Sequence, residues 1–123
     1  MTGAANGILM PREITILSPV DFGLTAVATA SEGFVGAVEV REIDAGAALQ
    51  VMAGDGAVLL TVYRPLLLKS AGEVARLLPE APEVALPIWW SYAFSPLGSS
   101  GEAGVSIALR LALAVDAVCV VAD

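Results

Sequence analysis

Two turn signals in the middle of this sequence constrain its fold more than any other feature. Between residues 37 and 63, D-A-G and A-G-D-G separate three short runs rich in apolar and β-branched residues. Asp-Gly readily adopts the positive φ angles of a tight hairpin turn. The first run, A-V-E-V-R-E-I, also alternates apolar with charged residues, as a half-buried strand does. The segment therefore predicts a three-stranded antiparallel meander that ends near Tyr63.

The residues before the meander predict one strand followed by one helix. E-I-T-I-L, from Glu13 to Leu17, alternates and contains β-branched residues, which is typical of a strand. S-P-V-D follows, with Ser18 as an N-cap and Pro19 at the first helical position. We expect this helix to end near Gly33, because glycine commonly follows the last turn of a helix. Residues 1–11 are expected to form a flexible leader ahead of the domain.

The residues after the meander predict two helices and two strands. Ser70 and Glu73 have the spacing of a capping box and mark the start of a short helix. The segment P-I-W-W-S-Y-A-F-S alternates as a strand. Residues 105–115 alternate too, but Ala, Leu and Arg are strong helix formers, and Ser99 with Glu102 forms another capping box. We therefore predict a helix from about Gly101 to Val115 and a final buried strand over residues 118–122.

Together these elements predict one α+β domain over residues 12–123. The chain has 123 residues in all, enough for one hydrophobic core with little room for a second. The elements follow one another in the order β-α-β-β-β-α-β-α-β. This order favours a mixed, mainly antiparallel sheet with helices packed on it.

The composition is unusually apolar and acidic. Hydrophobic residues make up 57% of the chain and charged residues 15%, against about half and a quarter in a typical domain. Such an excess favours an exposed apolar patch, and patches of that kind mark interfaces. We therefore expect the protein to associate with itself as a homodimer, or with another protein.

Several partners and locations are disfavoured by the same composition. The net charge is −7, with only six Lys and Arg residues in total, whereas nucleic-acid binding depends mainly on such residues. No segment has the roughly 20 mostly apolar residues of a bilayer helix, and the first residues lack the positive charge of a secretory signal. We expect a cytoplasmic protein that binds neither nucleic acid nor membrane.

Residues suited to catalysis or metal binding are sparse. The chain has no histidine and one cysteine. That cysteine, Cys119, lies in V-C-V-V and is interpreted as a small buried hydrophobe. The carboxylates of the chain are interpreted as solvated strand charges and turn residues. Those considered are Glu39, Glu42, Asp44, Asp55 and Asp116. We therefore predict no catalytic residue, no metal site and no cofactor, and favour a non-catalytic protein over an enzyme.

The stretch from Pro87 to Glu102 provides the candidate binding residues. In strand geometry Trp90, Tyr92 and Phe94 share one face, and exposed aromatic side chains serve as rigid anchors for ligands or partners. Ser99 and Ser100 lie in the following G-S-S-G-E-A-G segment, whose glycines would allow a ligand close to the backbone. The alternative interpretation of this stretch is a packed core strand followed by a turn and a helix cap.

Three functions are consistent with these observations. The first is a non-catalytic interaction module that associates with itself or with a protein partner. The second is a small-molecule-binding domain or enzyme with a pocket between Trp90 and the segment from Gly98 to Gly104. The third is an acidic inhibitor or immunity-type protein for a basic partner, which requires one contiguous acidic face. That face would contain Glu39, Glu42, Asp44 and Asp55.

Overall fold

The computed structural model describes residues 12–32, 34, 36–77, 84–96 and 98–122. The predicted leader, residues 1–11, lies outside the described residues. Within them the chain forms seven strands and three α-helices. In chain order these are β1 (Arg12–Ser18), α1 (Leu24–Glu32), β2 (Ala37–Ile43), β3 (Ala48–Ala53), β4 (Val58–Tyr63), β5 (Leu66–Leu68), α2 (Ala71–Leu77), β6 (Ile88–Ser95), α3 (Ser99–Ala114) and β7 (Val118–Val121).

The strands form one open sheet in the order β2-β3-β4-β6-β1-β7, and β5 pairs with the first residues of β6. Every described pairing is antiparallel. The predicted α+β class and the antiparallel meander from β2 to β4 are therefore confirmed. Strand β5 is an addition to the predicted order, because three consecutive leucines give no alternation.

The main core lies between the sheet and two helices, α1 and α3. Alternate residues of each strand point to this side, as the two-residue period of a strand requires. We call this side the helix face. Its fully or almost fully buried side chains include Ile14, Ile16, Val51, Leu60, Val62 and Ala93, which pack against Val27 of α1 and against Ile107 and Leu111 of α3.

Two glycines let α3 lie very close to the sheet. A Cβ built on Gly104 would overlap the carbonyl oxygen of Leu59 and lie 2.8 Å from the Cβ of Ser95. A Cβ on Gly101 would lie 2.7 Å from the carbonyl carbon of Pro96. Gly101 and Gly104 of the G-S-S-G-E-A-G segment thus serve helix packing, since only a residue without Cβ fits at these contacts.

The three predicted capping signals have different outcomes. At α2, Ser70 N–H donates to Glu73 Oε1 at 3.2 Å and Glu73 N–H donates to Ser70 Oγ at 3.3 Å, so this box is confirmed. Ser18 instead closes a local turn, because its Oγ donates to Val20 O and accepts from Val20 N–H. Helix α1 consequently begins later than predicted, at Leu24. Gly98, and not Ser99, is the N-cap of α3.

The last predicted helix and strand are present, with one correction. Helix α3 covers the residues that alternated like a strand, and it begins two residues earlier than expected. Its C-terminus is closed by two hydrogen bonds, from Ala117 N–H to Ala112 O and from Asp116 N–H to Leu113 O, which is the pattern of a Schellman motif. Strand β7 is half-buried to exposed instead of buried, because it lies at the edge of the described sheet.

Candidate functional site

Four aromatic side chains lie together on the sheet face opposite the helix face. Trp90, Tyr92 and Phe94 follow one another along β6, and Tyr63 reaches them from the adjacent strand β4. Ring centroids of Tyr63 and Tyr92 are 6.1 Å apart, and those of Trp90 and Tyr92 are 6.4 Å apart. These separations are within the range of interacting aromatic pairs. We call this side of the sheet the aromatic face.

The short helix α2 covers one end of the aromatic face. Its Val74 packs with Leu17 and Ile88 in a second, smaller buried cluster that also contacts Trp90. The end of α2, at Leu77, forms one wall of a groove of about 370 Å³. The groove is lined by Glu13, Thr15, Leu77, Trp90, Tyr92, Val120 and Ala122.

One carboxylate and one phenol define the chemistry of this groove. Tyr92 donates a hydrogen bond from its hydroxyl to Glu13 Oε1 at 2.8 Å. Burial raises the pKa of Tyr92 above its ordinary value of 10.0, and the bond to Glu13 raises that pKa further. The phenol therefore keeps its proton at neutral pH and remains a donor. Within the described part of the chain, the buried indole Nε1 of Trp90 has no hydrogen-bond partner.

The structure brings together three of the five predicted binding residues. Trp90, Tyr92 and Phe94 share the aromatic face, as the alternation of β6 indicates. The backbone of Ser99 and Ser100 forms the first turn of α3, which packs on the opposite, helix face. The sheet itself thus separates the aromatic row from the segment Gly98–Gly104.

Sequence reasoning missed two residues that complete the groove and the aromatic face. Glu13 belongs to β1 and Tyr63 to β4, and both reach the site because those strands flank β6. The alternation E-I-T-I does signal that Glu13 and Thr15 lie on the face opposite the buried isoleucines. Which strands are neighbours is a property of long-range pairing, and the local pattern does not contain it.

Two of the acidic residues predicted for one face lie at opposite ends of β3. Asp44 lies in the turn before β3 and Asp55 in the turn after it, so the two are separated by the length of that strand. Asp55 has a local role, since its Oδ1 accepts a hydrogen bond from Ala57 N–H. Among the described residues, no three Asp, Glu, Cys or His side chains are placed to hold a metal ion.

Exposed leucines mark a second surface, on the outer side of α3. Leu113 is 84% exposed and Leu109, one turn before it, is 49% exposed. Three residues connect α3 to β7, so Leu113 lies near the start of this edge strand. Val118, the first residue of β7, is itself 36% exposed.

A smaller cavity of about 240 Å³ opens on the helix face near the start of α1. It contains two acidic residues and one arginine. The lining residues are Asp21, Phe22, Gly23, Leu24, Glu42, Gly46, Leu49, Val62, Tyr63, Arg64 and Pro65. None of the residues predicted to bind a ligand lies there.

Comparison with known proteins gives no family: no family model, curated protein or solved structure matches the chain. Of the described helices, none has the length and apolar character needed to cross a bilayer.

Proposed function

We propose that the protein is a non-catalytic interaction module that associates with a second copy of itself through β7 and the outer face of α3. The observation that supports this most directly is Leu113, which is 84% exposed beside an edge strand without any charged residue. Burying a leucine contributes roughly 1.5–3 kcal/mol. Leu109 and Leu113 lie one turn apart on one helix face, so burying both would favour association strongly.

The backbone of β7 suits pairing with another strand. In the described residues β7 pairs with β1 alone. Ala122 N–H donates to Glu13 O, and alternate residues of an antiparallel pair point in opposite directions. The N–H and C=O groups of Cys119 and Val121 therefore point away from β1. Strand edges in monomers are usually protected by charges, proline or bulges, and β7 has none of these.

The size of the surface favours a combined strand and helix interface. A stable dimer buries about 800 Å² on each partner, more than four strand residues provide. The side chains of Leu109 and Leu113 enlarge the surface. Arg110 lies between these leucines in the sequence, but its guanidinium lies over the ring of Phe34, 5.3 Å from the ring centroid, near the end of α1. Because of helical spacing, Leu109 points in a different direction from that contact.

The test is sedimentation velocity over the micromolar range with three variants. Leu113→Glu places a charge in the proposed interface and should weaken dimerisation roughly a hundredfold, because a buried charge without a partner is costly. Leu66→Glu is the matched control, since Leu66 is 59% exposed but lies on β5, on the far side of β6 from β7. It should dimerise like the wild type.

A third variant tests the strand edge itself. Val121→Pro removes an N–H that points away from β1 and should block pairing in trans while the β1–β7 ladder remains. Thermal unfolding checks that the variant is folded. A wild-type chain that is monomeric at every concentration contradicts the proposal. A dimer that tolerates Leu113→Glu contradicts this interface.

A further inference from the structure

We propose that the groove between α2 and β6 binds an arginine or lysine side chain of a basic protein segment. This site goes beyond the proposed self-association, because it lies on the aromatic face; it shares one strand with the dimer surface, since Val120 of β7 lines the groove. Its residues are Glu13, Leu77, Trp90, Tyr92 and Val120.

The groove offers one negative charge to a ligand. Glu13 is an exposed residue whose Oε1 accepts from Tyr92. Glu13 is the one charged residue among those that line the groove. A guanidinium or ammonium group complements this carboxylate, whereas a phosphate or another carboxylate would be repelled.

The aromatic walls favour the same class of ligand. A cation within about 6 Å of a Trp or Tyr ring is attracted by the ring quadrupole. The rings of Trp90 and Tyr92 have centroids 6.4 Å apart and planes inclined by 27°, so one cation can approach both. Leu77 and Val120 supply apolar surface for the methylene stem of a long basic side chain.

A protein segment fits better than a small free cation because the surface continues past the groove. The aromatic row extends through Tyr63 and Phe94. On the side of β5, Leu66 pairs with Trp90 and is 59% exposed. An extended peptide can cover these side chains, while a free cation fills the groove alone. The net charge of −7 additionally steers basic partners towards the protein.

The experiment compares two capped octapeptides that differ only in charge. One contains two arginines among glycine and leucine residues, and the other replaces each arginine with citrulline, which is isosteric and neutral. Binding is followed by the indole N–H signals of the two tryptophans, which Trp89→Phe assigns. We expect the arginine peptide to shift the Trp90 signal and to bind at least roughly tenfold more tightly than the citrulline peptide.

Two variants connect the binding to Glu13. Glu13→Gln should reduce affinity for the arginine peptide roughly tenfold. Glu32→Gln removes an exposed carboxylate at the end of α1 and changes the net charge equally, so it should bind like the wild type. Equal binding of the two peptides overturns the proposal, as does Glu13→Gln with unchanged affinity. If free arginine amide binds as tightly as the peptide, the proposal that the ligand is a protein segment is contradicted.

Discussion

Ala45 has backbone angles that favour glycine. It lies in the turn between β2 and β3 with φ 55° and ψ 36°, next to Asp44 at φ 51°. The left-handed region costs an ordinary L-residue about 1–2 kcal/mol, and aspartate tolerates it better than alanine. Ala45 is therefore a residue with an unfavourable backbone conformation in the D-A-G turn.

Replacing this residue gives a prediction for stability. Ala45→Gly should raise the free energy of unfolding by about 0.5–1 kcal/mol, because the relief of the left-handed angles exceeds the entropic cost of glycine. Urea denaturation measures the change. Ala47→Gly is the control, since Ala47 is exposed and has φ −71°, and it should lower the same quantity by about 0.5–1 kcal/mol. Equal losses in both variants would contradict the left-handed turn.

Among the elements, α3 makes a close contact with the sheet at Gly104. It crosses β4 and β6 where Gly104 meets Leu59 and Ser95, and its buried side chains form much of the main core. A helix can approach a sheet this closely only where it has a glycine, which lacks a Cβ. Gly104, together with Gly101, thus allows α3 to lie this close to the sheet.

This contact leads to a second prediction. Gly104→Ala should lower the free energy of unfolding by about 3 kcal/mol, because its Cβ would overlap the Leu59 carbonyl and force α3 away from the sheet. Gly72→Ala in α2 is the control: the nearest atom to its Cβ would be Ser70 Oγ at 4.0 Å. That control should stabilise the protein by about 0.5–1 kcal/mol. A loss at Gly104 no larger than about 0.5 kcal/mol would show that the close approach is wrong.

The elements that sequence predicted well are those with strong local patterns. The meander, the aromatic strand and the Ser70–Glu73 box depend on alternation or on spacing within four residues. Helix α1 was predicted to begin too early because Ser18 can either cap a helix or close a turn, and only the burial of the end of β1 decides between them. The groove was half predictable, since alternation placed Trp90 and Tyr92 on one face but did not show that Glu13 would lie beside them.

For the whole molecule, one net charge acts in opposite ways on the two proposed surfaces. The charge of −7 makes two copies repel each other at long range, although the surface formed by β7 and Leu113 contains no charge in its strand. The same charge attracts a basic segment to the groove at Glu13. The two equilibria must therefore respond to salt with opposite signs.

This opposition is the third prediction. Raising sodium chloride from about 0.02 M to about 0.5 M shortens the screening length from roughly 20 Å to roughly 4 Å. Dimerisation of the wild type should strengthen several-fold, because repulsion is screened while apolar burial is retained. Binding of the arginine peptide should weaken roughly tenfold, because its attraction to Glu13 is screened. Sedimentation velocity measures the first equilibrium, and titration of the Leu113→Glu monomer measures the second without interference from association.

If both equilibria move in the same direction, either the apolar character of the dimer surface or the electrostatic character of the groove is wrong. The sign of each change identifies which one.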